Sequence, residues 1–301
     1  MAKRSILHML DPNVHNSPFD INMAVDAGYD VVIPYPNVKL EEVAGLTQDA
    51  IFSRGPSGVK KTGLFLGGRD IGLAMDMLDS AKKAMVPPFE ISVFADPSGA
   101  FTTAAALVAC VEKELKNNFG QELKGARAIV FGGTGPVGLA TAVIAAEQGA
   151  ITTIVDHFSI DTALEYASEA KQRYGVDLKA TTAASDADKA RLVSTADIVF
   201  CTAKAGIQVL SSSVLEDAKR LKVAGDVNAV PPLGIEGVDL MDLGKPLEYA
   251  INSEGAVGIG ALAVGNVKYQ LQKTLLEETL HSDKPVYLDF RNAFAGARKL
   301  V

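Results

Sequence analysis

Histidine and cysteine are scarce in this chain. Four histidines (His8, His15, His157, His281) and two cysteines (Cys110, Cys201) occur in 301 residues, and neither set has the spacing of a metal site. No histidine comes with a serine or cysteine partner motif, which argues against a hydrolytic triad. Two thiols cannot build a disulfide framework, so a reducing, cytoplasmic compartment is expected. Positive charge is also short: 29 Lys and Arg against 36 Asp and Glu leave a net charge of −7. The electrostatic footprint of a nucleic-acid binder is therefore missing. Long apolar runs are absent too. The run Ile6 to Leu10 is short and ends at Asp11, which fits neither a signal peptide nor a membrane span and reads as a first strand. There is no internal repeat and no low-complexity segment.

What is present has ordinary globular composition, 48% hydrophobic and 22% charged, on a chain long enough for two packed domains. Up to about Ala95, short apolar runs at 6–9, 31–33, 62–66 and 91–94 alternate with helical patterns at 18–27 and 70–85, the mark of an α/β layer structure. From Thr102 to Lys116, apolar residues at helical spacing (Ala105, Val108, Ala109, Val111, Leu115) predict a helix bridging two domains. Beyond it, strands are expected at 128–131, 151–155, 176–180, 198–202 and 221–225, with helices at 137–148, 160–174 and 187–193. Such alternation predicts an α/β fold: a doubly wound parallel Rossmann sheet over 102–301 and a smaller N-terminal α/β domain over 1–101, with a cleft between them. The C-terminal segment is placed where it can pack back on the first domain.

The densest chemical signal is Gly133-Thr134-Gly135-Pro136-Val137-Gly138. An apolar strand precedes it, an apolar helix follows, and a second strand ends at Asp156. Gly133 is expected to allow the tight turn, Gly135 the close approach of backbone to a pyrophosphate, and Gly138 the packing of helix on sheet. The phosphates then sit at a helix N-terminus. Asp156 can accept hydrogen bonds from the ribose hydroxyls of NAD, whereas the 2′-phosphate of NADP would meet a like charge; the bland alternative is a helix cap. His157 is either beside the adenosine or a surface imidazole. Thr202 and Ala203, at a strand end, are further cofactor candidates.

Asp226 and Asn228 follow another apolar strand and precede Pro231-Pro232, so they lie at the carboxyl edge of the sheet, either at the ligand or in a rigid connector. Gly258, Ile259 and Gly260, in the small-residue run 255–266, are expected either to leave backbone uncovered for a nicotinamide or to pack a helix closely. In the first domain, segments 17–20, 65–70 and 95–103 could edge one cleft. Asp20 and Asp70 read most simply as first-turn charges favoured by the helix dipole.

Taken together, Ser17-Pro-Phe-Asp20, Ile51-Phe-Ser-Arg54, Phe65-Leu-Gly-Gly68, Asp96-Pro-Ser-Gly99 with Thr102-Thr103, the glycine loop, Asp226-Val-Asn-Ala-Val-Pro-Pro-Leu-Gly234 and Gly258-Ile-Gly-Ala-Leu262 resemble the bacterial methylene-tetrahydromethanopterin dehydrogenases over nearly the whole chain. The wording after Asp226 and Gly258 is similar to the branch that accepts NAD as well as NADP. Asp156-His157-Phe158 departs from the strictly NADP-dependent branch, which has basic residues there. The resemblance implies hydride transfer from the methylene carbon of a tetrahydromethanopterin-type substrate to NAD, or NADP, by a homo-oligomer. It places Asp20, Thr102 and Thr103 on the pterin side and Lys268 as a polar contact. NADP-dependent relatives carry lysines after the Gly-Ile-Gly element, where this chain has Ala263 and Gly265. A methylene-tetrahydrofolate dehydrogenase, a non-catalytic dinucleotide sensor and a shikimate-type dehydrogenase remain as alternatives; the last needs a Lys–Asp pair that no motif assigns.

Overall fold

The apolar runs become parallel strands, and the amphipathic patterns become the helices that cover them. A computed structural model describes residues 3–301. In chain order the first half holds β1 (Ile6–Leu10), α1 (Pro18–Asp26), β2 (Val31–Tyr35), α2 (Leu40–Phe52), α3 (Gly55–Val59), β3 (Thr62–Leu66), α4 (Ile71–Lys83), β4 (Ser92–Ala95) and α5 (Ala100–Phe119). Then follow β5 (Arg127–Phe131), α6 (Pro136–Glu147), β6 (Ile151–Asp156), α7 (Ile160–Tyr174), β7 (Lys179–Thr182), α8 (Asp186–Val193), β8 (Ile198–Cys201), α9 (Ser212–Glu216) and β9 (Val223–Asp226). The chain closes with β10 (Leu243–Pro246), β11 (Val257–Ile259), α10 (Ala261–His281), β12 (Tyr287–Leu288) and α11 (Phe290–Ala297). Two units result: the residues up to Thr102 with Tyr269–Gly296, and Thr103–Lys268 with Ala297–Val301.

The first unit has a five-stranded sheet in the order β12-β4-β3-β1-β2, all pairs parallel. Every residue of β3 and β4 is buried, as expected of parallel strands covered on both faces. Phe65 and Phe94 meet edge to face across these strands, and Phe101 meets Phe290 in the same way. Helix starts follow local chemistry: Ser17 accepts from the Asp20 backbone N–H, and Asp70 from that of Leu73, each satisfying a donor that the helix leaves open. Asp70 is thus a cap.

The second unit has a seven-stranded sheet in the order β10-β11-β9-β8-β5-β6-β7. Counted from β5, this is the doubly wound dinucleotide-binding order, extended by an antiparallel edge strand. Two of its strands escape the sequence reading, which finds five. β11 has three residues and contains a glycine, and β10 contains Gly244 and Pro246, residue types that weaken a strand signal. β7 also starts later than expected, because α7 stops on left-handed Gly175 and the next residues bring the chain back to the sheet. At the amino edge, buried Asp197 accepts from the Arg127 backbone N–H, from Arg220 and from Lys222. No helix among the described residues is long and apolar enough to cross a membrane.

Candidate functional site

The glycine loop leaves β5 through Gly132, whose φ of +72° needs glycine. The positive φ thus falls one residue before Gly133, the position expected from the motif. Gly133 is required for space instead: a Cβ there would lie 2.7 Å from Ile154 Cβ and 2.9 Å from the Val130 carbonyl. Gly135 is the N-cap of α6, with extended φ and ψ and no side-chain cap, and Pro136 opens the helix. A Cβ at Gly135 would touch only the Gly132 carbonyl, at 3.4 Å, so the N–H groups at this helix start face an open approach. A Cβ at Gly138 would overlap Gly132 O and lie 2.7 Å from Thr202 Oγ1. Val137, in the first turn, is half-buried. Thr202 donates its hydroxyl to the Phe131 carbonyl at 2.8 Å and braces the loop from below. The backbone of Ala203 lies against Gly132.

Thr134 links this loop to the end of β6: its Oγ1 donates to Asp156 Oδ2 at 2.7 Å, while Asp156 Oδ1 accepts from the backbone N–H groups of Phe158 and Ser159. Burial alone would raise the Asp156 pKa, but the bonds from Ser159, Thr134 and Phe158, with His157 alongside, outweigh it and hold the carboxyl below its ordinary range. The helix cap is Ser159, so Asp156 closes the turn before the helix and stays ionised. Its neighbour His157 has Nδ1 3.3 Å from the Ala183 carbonyl and its ring against that of Phe158. Beside them lies a cavity of about 400 Å³ with walls from Phe131, Val155, Phe158, Ala183, Ile207 and Val209. An apolar slot with a carboxylate at its edge, at the carboxyl ends of β5, β6 and β8, suits an adenosine. Sequence reasoning misses Ala183, Lys189, Lys204 and Ile207 on this cavity. They come from the end of β7, from α8 and from the segment after β8, and form no local motif.

Two other groups of expected cofactor residues have different surroundings. Asp226 is 1% exposed and accepts from the N–H groups of Asn228 and Ile235. Burial raises its pKa, against the lowering effect of these bonds. Asn228 accepts from Gly206 and Val230 N–H and donates to the Pro232 carbonyl. Asp226 therefore staples its own loop, and Asn228 staples the same loop and ties it to the segment after β8, which fits the rigid-connector reading. Gly258 and Ile259 are in β11, paired on both sides with β9 and β10. A Cβ on Gly258 would lie 2.9 Å from Val238 Cγ2, and one on Gly260 would overlap the backbone at Asp239 and Leu240. Gly258 and Ile259 are thus buried strand with Gly260 just after it, and close packing selects glycine at 258 and 260.

In the first unit, the turn of strand order lies between β1 and β3, and ligands of open α/β sheets bind outside the carboxyl ends at such a point. There Asp11 accepts from Asn13 N–H and its carboxylate packs on Gly67. Asp20, in the first turn of α1, is 5% exposed and accepts from Gln272 Nε2 at 2.6 Å. Gln272, on α10, had no signal in the sequence. Thr102 is 0% exposed, and its hydroxyl donates to Asp96 Oδ2 at 2.6 Å. It fixes the start of α5 through this bond. Thr103, next to it, and Lys268, one turn before Gln272 on α10, are half-buried. No group of three or more metal-ligating side chains occurs among the described residues.

An α/β chain of two units, with this strand order, glycine loop and a carboxylate at the end of β6, is built as a dinucleotide-binding dehydrogenase. Solved structures agree on the fold: shikimate 5-dehydrogenase from Listeria monocytogenes (TM-score 0.53, 12% identity, 94% of this chain and 93% of that one) and 5-ketofructose reductase from Gluconobacter sp. strain CHM43 (TM-score 0.53, 15% identity, 99% of each). Residues 18–98 match the family model described as methylene-tetrahydromethanopterin dehydrogenase, N-terminal. The NAD(P)-dependent methylenetetrahydromethanopterin dehydrogenase of Methylorubrum extorquens is 48% identical over 298 residues, 99% of each chain. A second protein of that organism, the bifunctional protein MdtA, is 32% identical over 287 residues, 95% of this chain and 96% of its own. The chain belongs to the methylene-tetrahydromethanopterin dehydrogenase family.

Proposed function

We propose that this protein oxidises the methylene carbon of a 5,10-methylene-tetrahydromethanopterin to the methenyl form with NAD or NADP, as a step of one-carbon (formaldehyde) oxidation. The observation that carries the reading is the 48% identity to the NAD(P)-dependent relative over 99% of both chains. The second unit takes the nucleotide: Gly133 to Gly138 the pyrophosphate, Asp156 the adenosine ribose, and the cavity beside Phe158 the adenine. Bound NAD(P)+ supplies the hydride acceptor. The first unit takes the pterin, with Asp20 as its buried carboxylate; Lys268, the last residue of the second unit's main segment, is kept as a candidate polar contact.

The reaction asks little acid–base work of the chain. One C–H bond breaks with both electrons leaving as hydride, no proton departs, and the positive charge of the product is shared by two nitrogens. The protein then contributes positioning, exclusion of water and a fixed electrostatic environment. Asp20, held by Gln272, can offer a negative charge to the forming cation. Two buried, unpaired thiols suit a reducing cytoplasm, and we place the enzyme there as a homo-oligomer.

The test is formation of NADH or NADPH from the methylene forms of tetrahydromethanopterin and tetrahydrofolate, each offered with each nucleotide. Turnover with the methanopterin form is expected. Turnover with the folate form alone would replace the substrate, and nucleotide binding without any turnover would favour a sensor.

A further inference from the structure

The nucleotide pocket carries a contradiction in charge. Asp156 is ionised at the place where a ribose hydroxyl is expected, which should exclude a 2′-phosphorylated nucleotide. The titratable groups lining the cavity are Asp156, His157, Lys189 and Lys204, so two ammonium groups face the same space as the one carboxylate. They are not equivalent. Lys189, on α8, is largely buried and paired with Asp186 at 2.9 Å. Lys204, in the segment after β8, is exposed and forms no hydrogen bond or ion pair among the described residues.

We propose that Lys204 is the specificity residue that admits NADP to this pocket, by giving the 2′-phosphate a counter-charge in the cavity that Asp156 also lines. The inference rests on the nucleotide half of the proposed function and is independent of the pterin. A pocket with Asp156 alone would select NAD. Lys204 offsets that selection without altering the ribose contacts of NAD. Its position also explains why the sequence after β6 shows no basic residue: the cation comes from the end of β8, brought beside β6 by way of β5.

The test is calorimetric titration of the full-length wild type, Lys204→Gln and Lys204→Arg with NAD+, NADP+, 5′-AMP and 2′,5′-ADP. For Lys204→Gln, the Kd of NADP+ and 2′,5′-ADP should rise about tenfold, the scale of one charge-assisted contact, while NAD+ and 5′-AMP stay within about twofold. Lys204→Arg should keep NADP+ binding. Equal weakening of all four ligands would assign Lys204 to a phosphate common to both nucleotides and overturn the proposal, as would no change in any of them. Nucleotide binding that follows this pattern in a protein inactive toward every pterin would leave the inference standing and remove the substrate reading.

Discussion

Gln272 and Asp20 lie 252 positions apart and are joined by a 2.6 Å hydrogen bond from the amide Nε2 to the carboxylate Oδ1. Both are buried, so the bond ties α10 to the first turn of α1. A hydrogen bond to a charged group contributes about 1.5–3 kcal/mol. Gln272→Leu, close in size, should lower the unfolding free energy by about 2 kcal/mol in urea titrations. An unchanged midpoint and slope would show that the bond adds no net stability.

In the proposed function Asp156 sets nucleotide preference from the carboxylate side. Its replacement by Ala or Ser should narrow the ratio of kcat/KM for NAD over NADP by about tenfold, or about 1.4 kcal/mol. Removing the Thr134 hydroxyl, which donates to the same carboxylate, should shift the ratio less. Identical ratios in wild type and the Asp156 variants would sink the ribose assignment.

The glycines of the loop separate binding from folding. Gly135 has φ −77° and its Cβ would make only a van der Waals contact with the Gly132 carbonyl, so Gly135→Val should fold with a near-native melting temperature yet fail to bind NAD. Gly138→Val meets the Gly132 carbonyl and Thr202 and should fold poorly or melt far lower. Ordinary NAD affinity in Gly135→Val would make the loop purely structural.

The mechanism calls for no titrating base. Wherever hydride transfer limits the rate, as shown by a primary deuterium isotope effect from methylene-labelled substrate, kcat should be nearly flat across neutral pH, and chelators should leave it unchanged. A bell-shaped kcat profile with a full isotope effect would show a side chain changing protonation during chemistry. Asp20 and Lys268 would then be tested first.

Asp197 supplies a pH-dependent part of stability. Burial would raise its pKa, but Lys222, the Arg127 N–H and Arg220 outweigh burial and hold the carboxyl below its ordinary value of 3.8. A carboxylate lowered in the folded state stabilises fully above that ordinary value and loses the contribution as pH falls toward the folded one. Asp197→Asn should destabilise by about 2 kcal/mol at pH 7, the scale of a hydrogen bond to a charged group with Arg220 half exposed, and less at pH 3. Equal loss of stability at both pH values in chemical unfolding would refute the electrostatic account.

Periodicity and glycine spacing were enough to reveal the two α/β layers, the strand Ile151–Val155 leading to Asp156, and the α6 start at Pro136, because each depends on residues close together in the chain. The strands β10 and β11 were not legible: their few residues include glycine and proline, and they exist through pairing with β9, which no local pattern encodes. Local spacing likewise could not reveal that Thr102 faces Asp96, that Asp226 and Asn228 staple their own loop, or that Gly258 sits under Val238. Burial and hydrogen-bond partners decide these, and which group a side chain pairs with is set by how the surrounding loops fold, not by the spacing of residues. The cavity walls and Gln272 belong to the same class. A motif can supply a strand, a turn and a helix start, but a site assembled from several loops appears only when the sheet brings their strands side by side.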